Sequence, residues 1–351
     1  MDYFLGVDGG ATSTACAVAT DDGVILGIGH GGPSNHILAP GGRERARAAV
    51  DDAVRTALAS AGLARLEFRA AQFGMTGMNA GTEPARVFAG VAAELVSARS
   101  VTIDNDALVA RAGALACRPG VVLIAGTGSV ALGEDPRGAQ ARAGGWGYLF
   151  GDEGSAFALG LGGVRAALRA RDGTGPETVL IERIQGALGR SLGEIPSAFY
   201  ENRIHRAQIA ALAPIVTAAA AGGDAISQEL VHDAAERLGV LAAAVIRRLT
   251  WPDGTVAVAP VGGVFSAGPL ILQPLRRALA ARVSDAVLVP PRFVPAVGAL
   301  LLAFQSAQIP HTPERLALLA ATWEIRASRV SSPPPPWDAG PGFPMQSWLT
   351  L

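Results

Sequence analysis

The chain has 351 residues, 50% of them hydrophobic and 17% charged, with a formal net charge of -1. That balance suits two globular domains or one large one, and it excludes the broad basic field that nucleic acid or an acidic membrane surface selects. All 29 basic residues are Arg, which excludes a Walker-type phosphate loop and its Lys, and the only cysteines, Cys16 and Cys117, form no CxxC for a zinc cage or disulfide framework.

The opening MDYFLGVDGG has no basic region followed by a long apolar core, so no signal peptide is expected. YFLGVDGG and TACAVATDDGVILGIGHGG predict strand, turn, strand, turn, strand, with DDG as a hairpin signal. Arg43 to Ala61 has helical periodicity and stops at Gly62. FRAAQFGMTGMNAG predicts a short apolar strand entering a glycine loop, EPARVFAGVAAELV a helix, SVTIDNDA a strand ending in acids, and ALVARAGALACRPG a helix with a glycine stop. The pattern then restarts. GVVLIAGTGSVALGED predicts strand, glycine turn, strand, and a mostly helical half follows over Ser155 to Ala170 and, with breaks, Glu177 to Leu249. Within it, IAALAPIVTAAAA is too short and Pro-broken to span a bilayer, so a cytoplasmic protein is expected. TVAVAPVGGVFSAG is again strand and turn, PLILQPLRRALAARV a helix, AVLVP a strand and PAVGALLLAFQSA a helix. The pattern from Gln308 is weak, and SSPPPPWDAGPGFP carries no core pattern at all. Two β-rich starts, each followed by αβ units, imply an α/β protein built by internal duplication.

Glycine turns follow three apolar strands, at VDGGATST, AGTGSV and VGGVFSAG. A hairpin explains any one of them. The first carries more chemistry: Asp8 at a strand end, then Gly9 and Gly10, then Thr12, Ser13 and Thr14. Backbone without Cβ atoms can approach an anion, and its N–H groups and the hydroxyls can donate to phosphate oxygens. Asp8 could hold Mg2+ directly or through water. Gly126, Thr127, Gly128 and Ser129 offer the same donors in the second half. In SVTIDNDALVA, an extended strand puts Asp104 and Asp106 on one face. They suit a solvated strand end and helix cap, or a base that orients an attacking hydroxyl.

The order DGGATST, NDA, GTGS, GGWG–GDEGS and GGVFSAG resembles that of the N-acetylglucosamine kinases, which stand with the benzoyl-CoA reductase activator ATPases in one branch of the actin-like sugar-kinase superfamily. The resemblance spans Tyr3 to Ala303. It implies two RNase H-like (actin-like ATPase) domains with ATP and sugar in a cleft between them, a first domain of 1–116 completed by 294–351 and a second of 117–293. It further implies a homodimer, Mg2+ held at Asp8, and phosphate loops at DGGATST and GTGS. GGVFSAG becomes an adenosine loop with Gly262, Gly263 and Ser266. Asp106, in the NDA triplet, becomes the catalytic base for the 6-hydroxyl of an amino sugar, N-acetylglucosamine first, with glucosamine or N-acetylmuramic acid as alternatives. Asn35 and Thr76 match sugar-contacting positions, and each also suits a plain loop role.

The activator ATPases define a rival class that moves electrons through a cysteine-held cluster. Two cysteines in this chain argue against it, since four thiolates are the usual requirement. A catalytically inactive nucleotide-binding protein is the third reading, and the presence of both Asp8 and Asp106 argues against that. GGWGYLFGDEGS, Gly144 to Ser155, then reads as a sugar-side wall. Gly145 would allow close approach. Trp146 would offer a flat face, or else anchor a core. Asp152 would accept from a hydroxyl or amine, or else, like Glu153, sit at a helix start.

Overall fold

The computed structural model describes residues 1–328 except 65 and 253, so the expected Pro-rich tail lies outside the described residues. Contacts divide the chain into one compact unit of Met1–Val122 with the described residues from Pro290 onward, and a second of Leu123–Val289. The sequence-based boundaries stood at 116/117 and 293/294. The division by contacts falls inside the strand Gly120–Ala125 at 122/123 and in the loop that follows the strand Ala286–Leu288 at 289/290.

In chain order the elements are β1 (Tyr3–Gly9), β2 (Thr14–Thr20), β3 (Ile25–Gly31), α1 (Gly42–Ser60), β4 (Glu67–Phe68), β5 (Ala70–Met75), α2 (Glu83–Leu95), β6 (Ser97–Ala98), β7 (Val101–Asp104) and α3 (Asp106–Leu115). Then come β8 (Gly120–Ala125), β9 (Ser129–Glu134), β10 (Gln140–Gly144), α4 (Ala156–Arg171), α5 (Leu180–Leu188), α6 (Glu194–Tyr200), α7 (Arg206–Ala210), α8 (Ala213–Ala221) and α9 (Ala225–Ile246). Last are β11 (Val256–Val261), α10 (Pro269–Ala280), β12 (Ala286–Leu288), α11 (Pro295–Ser306) and α12 (Pro313–Ala327).

The first unit is built on a sheet in the order β3-β2-β1-β5-β7. The first three strands pair antiparallel, and β1–β5 and β5–β7 pair parallel. Side chains alternate across the sheet. Leu5 and Val7 of β1 therefore enter one core with α1 and α2, while Phe4 enters the other with α11 and α12. Phe4 meets Phe304 of α11 edge-on at 4.7 Å. Gly6 and Asp8 share the Phe4 face by the same period. The second unit repeats the order as β10-β9-β8-β11-β12. Its helices are α4 to α10, and a short 3-10 helix, Gly263–Ala267, follows β11.

β10 and α12 exceed the sequence expectation. β10, QARAG, is a short edge strand whose alternation rests on small residues and is too faint to read alone. α12 has readable start signals, Thr312 as N-cap and Pro313 in the first turn. It covers the β2–β3 hairpin, with Ile25 N–H donating to Thr322 Oγ1 at 2.9 Å and Arg315 Nε to the Asp21 carbonyl at 2.9 Å. One expectation is corrected. Asp104 and Asp106 do not share an extended strand: β7 ends at Asp104, Asn105 caps α3 by accepting from Ala107 N–H, and Asp106 is the first helical residue. The chain turns at Asn105 because its side chain supplies the helix N-cap acceptor. No single helix among the described residues is long and apolar enough to cross a membrane.

Candidate active site

In the first unit, the parallel strands bring one row to the sheet's end. Asp8 of β1 pairs in register with Gly74 of β5, and Gly74 with Asp104 of β7. The face is covered by α3: a Cβ on Gly74 would lie 2.2 Å from Val109 Cγ2. That close seating sets the helix start, and with it Asp106, against Asp8. Burial first, and the charge of Asp106 second, push the Asp8 carboxyl up to about 8. Asp106 also accepts from Ala107 N–H at 3.0 Å, in the first turn, where the helix dipole favours a carboxylate.

The turn after β1 is closed by Gly10 N–H donating to the Ser13 carbonyl at 2.8 Å. Thr12 and Ser13 are exposed on it. Thr14 departs from its expected phosphate role. It is fully buried as the first residue of β2, and its hydroxyl donates to the Gly32 carbonyl at 2.9 Å. The same turn gathers the two sugar-side candidates. Thr76 N–H donates to the Gly9 carbonyl at 2.8 Å, and Ser34 N–H, beside Asn35, to the Gly10 carbonyl at 3.2 Å. Asn35 is half-buried, with its own carbonyl accepting from Arg45. A cavity of about 250 Å³ lies alongside, lined by His36, Ile37, Leu38, Thr76 and Met78 among others.

In the second unit the turn between β8 and β9 is knotted to the 144–155 stretch through Ser129. Ser129 N–H donates to Asp152 Oδ1 at 3.0 Å, its hydroxyl to the Glu153 carbonyl at 2.7 Å, and its carbonyl accepts from Gly145 N–H at 2.8 Å. Both Ser129 donors are thus engaged inside the unit. Gly126, Thr127 and Gly128 remain half-buried at the tip of the turn. Gly262, at φ 116°, lies against the same strand end, where a Cβ would stand 2.5 Å from the Ala125 carbonyl oxygen. Gly263 and Ser266 are exposed beyond it.

Asp152 accepts the Ser129 N–H from within the unit. It is 4% exposed, in a left-handed conformation at φ 62°, and its second oxygen takes Arg206 Nη2 at 2.5 Å. The carboxylate is thus engaged inside the unit by Ser129 N–H and Arg206. Glu153 keeps its side chain exposed, and Ser155 is the cap of α4. Trp146 is no core anchor: it is 73% exposed, with the Arg142 guanidinium 5.9 Å from its ring centre. Arg206 was not legible as a site residue, because nothing near it in sequence marks one Arg among 29 basic residues.

Cys16 is buried in the first unit's core, where burial pushes its thiol up, and Cys117 is half-buried. Among the described residues no cluster of three or more His, Cys, Asp or Glu could hold a metal ion. The Asp8–Asp106 pair still fits Mg2+, which binds through one or two carboxylates and completes its shell with water and phosphate.

The model of the BadF/BadG/BcrA/BcrD ATPase family matches residues 5–303. An N-acetylmuramic acid/N-acetylglucosamine kinase of Clostridium acetobutylicum is 30% identical over 76% of this chain and 86% of its own length. An N-acetyl-D-glucosamine kinase of Dictyostelium discoideum is 29% identical over 87% of this chain and 98% of its own. The solved structure of a candidate N-acetylglucosamine kinase from Chromobacterium violaceum superposes with a TM-score of 0.70 at 28% identity, covering 86% of this chain and 99% of that one.

Proposed function

The chain belongs to the BadF/BadG/BcrA/BcrD ATPase family, and from that premise we propose that it is an ATP-dependent kinase of an amino sugar, N-acetylglucosamine, acting at the 6-hydroxyl. The relatives named above support the kinase class and the N-acetylated sugar. Within this chain the reading is carried by the Asp8–Asp106 pair, one carboxylate ahead of the first glycine turn and one at the start of α3, in a site where burial and mutual repulsion disfavour charge on Asp8. Such a pair invites a cation. Asp8 would hold Mg2+, which neutralises phosphate charge when bound. Asp106 would take the proton of the sugar hydroxyl as it attacks the γ-phosphate, the orienting role that phosphoryl transfer asks of one carboxylate.

The other roles follow from position. Gly9, Gly10, Thr12 and Ser13 would meet the phosphates from the first unit, and the Gly126–Gly128 tip from the second. Gly262, Gly263 and Ser266 would border the adenosine. Asn35, Thr76, Gly145 and Trp146 would face the sugar. In this proposal two RNase H-like units serve one nucleotide and one sugar, and the protein is a homodimer, which light scattering tests.

The experiment is an ADP-release assay with MgATP across N-acetylglucosamine, N-acetylmuramic acid, glucosamine and glucose. Turnover on N-acetylglucosamine is expected, and turnover on glucose alone sinks the amino-sugar assignment. NMR of the product locates the phosphate. Asp106→Asn should lower kcat by about 10²–10⁴-fold, the range of a lost general base, with ATP affinity kept. Full turnover in that variant would remove Asp106 from the mechanism.

A further inference from the structure

The chain has no Lys to steady a phosphate turn, yet one cation reaches the Gly126–Ser129 turn from a distant helix. Arg206 opens α7, which lies so close to α4 that a Cβ on Gly160 would stand 1.9 Å from the Ile209 carbonyl oxygen. Its guanidinium lies 5.3 Å from the Tyr148 ring centre and 5.8 Å from that of Phe157, and these two rings meet edge-on. Aromatic faces hold a guanidinium flat and desolvated. From there Nη2 donates both to the Thr127 carbonyl, at 3.1 Å, and to Asp152 Oδ2. Asp152 Oδ1 in turn accepts Ser129 N–H. One side chain thus grips the turn at Thr127 directly and at Ser129 through Asp152. The packing is tight: a Cβ on Gly128 would lie 2.8 Å from Asp152 Oδ1 and 3.0 Å from Arg206 Nη2.

We propose that Arg206 is a positioning residue for nucleotide binding: with Asp152 it fixes the Gly126–Ser129 turn to the 144–155 stretch, so that ATP affinity depends on this ion pair. The proposal rests on the reading of Gly126–Ser129 as a phosphate turn. Without Arg206, Asp152 is a buried charge held in a left-handed conformation by one N–H donor. It would turn toward water, and the Glu153 carbonyl would leave the Ser129 hydroxyl with it. The backbone donors at the turn's tip would then no longer be preset for phosphate.

The test compares wild type, R206K, R206Q, D152N and the R206Q/D152N double variant. Dissociation constants for a Mg2+-bound non-hydrolysable ATP analogue are measured by calorimetry, beside melting temperatures and steady-state kinetics. R206Q and D152N should each raise the dissociation constant by about tenfold, and the double variant by no more than the larger single effect, as expected of one shared link. R206K keeps the charge but loses the planar group held against the two rings, so its value should fall between. KM for ATP should rise more than kcat falls. R206Q is the variant most prone to misfold, since it strands a buried carboxylate; the double variant removes that charge, and R206K retains its partner. Unchanged analogue affinity in folded variants, single effects that multiply in the double variant, or a wild type that binds no analogue would each overturn the proposal. If wild type binds the analogue with this variant pattern but phosphorylates no sugar in the panel, the kinase reading fails and the positioning role stands.

Discussion

Asp8 shows how one residue trades stability for chemistry. Its native carboxyl is pushed up to about 8 from an ordinary 3.8, chiefly by burial. Between those values the native state binds a proton that the unfolded state has released, so the stability of the metal-free protein falls as pH rises through that window. Asp8→Asn removes the ionisation. The variant should melt at a higher temperature than wild type at pH 9 without Mg2+, with the gap closing toward pH 4, and it should lose turnover. A pH series of thermal melts checks the first outcome and the ADP-release assay the second. Asp8 and Asp106 were legible because one sits where a readable strand ends and the other where a readable helix begins. Asp152 was legible only as a charge in a glycine loop. Its left-handed backbone, its burial and its two partners come from residues far along the chain.

Among the elements, β3 and α1 show packing that depends on absent atoms. Cβ atoms on Gly27, Gly29 and Gly31 would lie 2.1, 2.0 and 1.9 Å from the carbonyl oxygens of Ala57, Ala53 and Ala49. The strand period of two meets the helix period of four, so α1 rests its backbone directly on the strand. Gly29→Ala must push the helix away and should cost about 1–3 kcal/mol or more, read by urea denaturation. The helix was legible from its periodicity over Arg43 to Ala61, but its seat on the strand glycines was not. Helix α9 supplies a second case. Its cap, Asp224, accepts from the Ser227 N–H and hydroxyl, the Thr178 hydroxyl and Val179 N–H. Burial pulls this carboxyl up, but those hydrogen bonds together pull it further down. Its contribution is therefore present at neutral pH and disappears as acid protonates it. Asp224→Ala should cost about 1 kcal/mol at pH 7, a usual capping contribution. The difference from wild type should vanish once pH falls below the depressed native value, as paired denaturation curves would report.

At the scale of the whole molecule, one topology occurs twice, as β3-β2-β1-β5-β7 and β10-β9-β8-β11-β12. Each copy ends its first strand in a glycine turn, and the two turns have diverged. The first keeps an acid at the strand end and exposed hydroxyls, while the second is braced from behind by Asp152 and Arg206. If both serve one nucleotide, MgATP at about a hundredfold excess over its dissociation constant should stabilise the protein by about 2.7 kcal/mol. EDTA should remove most of that gain, which differential scanning calorimetry detects; an equal gain without Mg2+ would speak against metal at Asp8.

The sequence by itself determined the α/β class, the duplicated strand starts, the places of the glycine turns and the acids at one strand end and one helix start. Periodicity and turn chemistry are local, and these features depend on little else. It did not determine where β10 and α12 lie, because small alternating residues and a short amphipathic run compete poorly with loop-like neighbours. Only the tertiary structure decided which donors are already engaged. Thr14 and Ser129 carry the right hydroxyls for phosphate, yet both donate within their own unit. Arg206 meets Asp152 across 54 residues and Thr127 across 79. A side chain's partner at such a separation is set by how helices pack, and the residues next to it in sequence carry no trace of that choice.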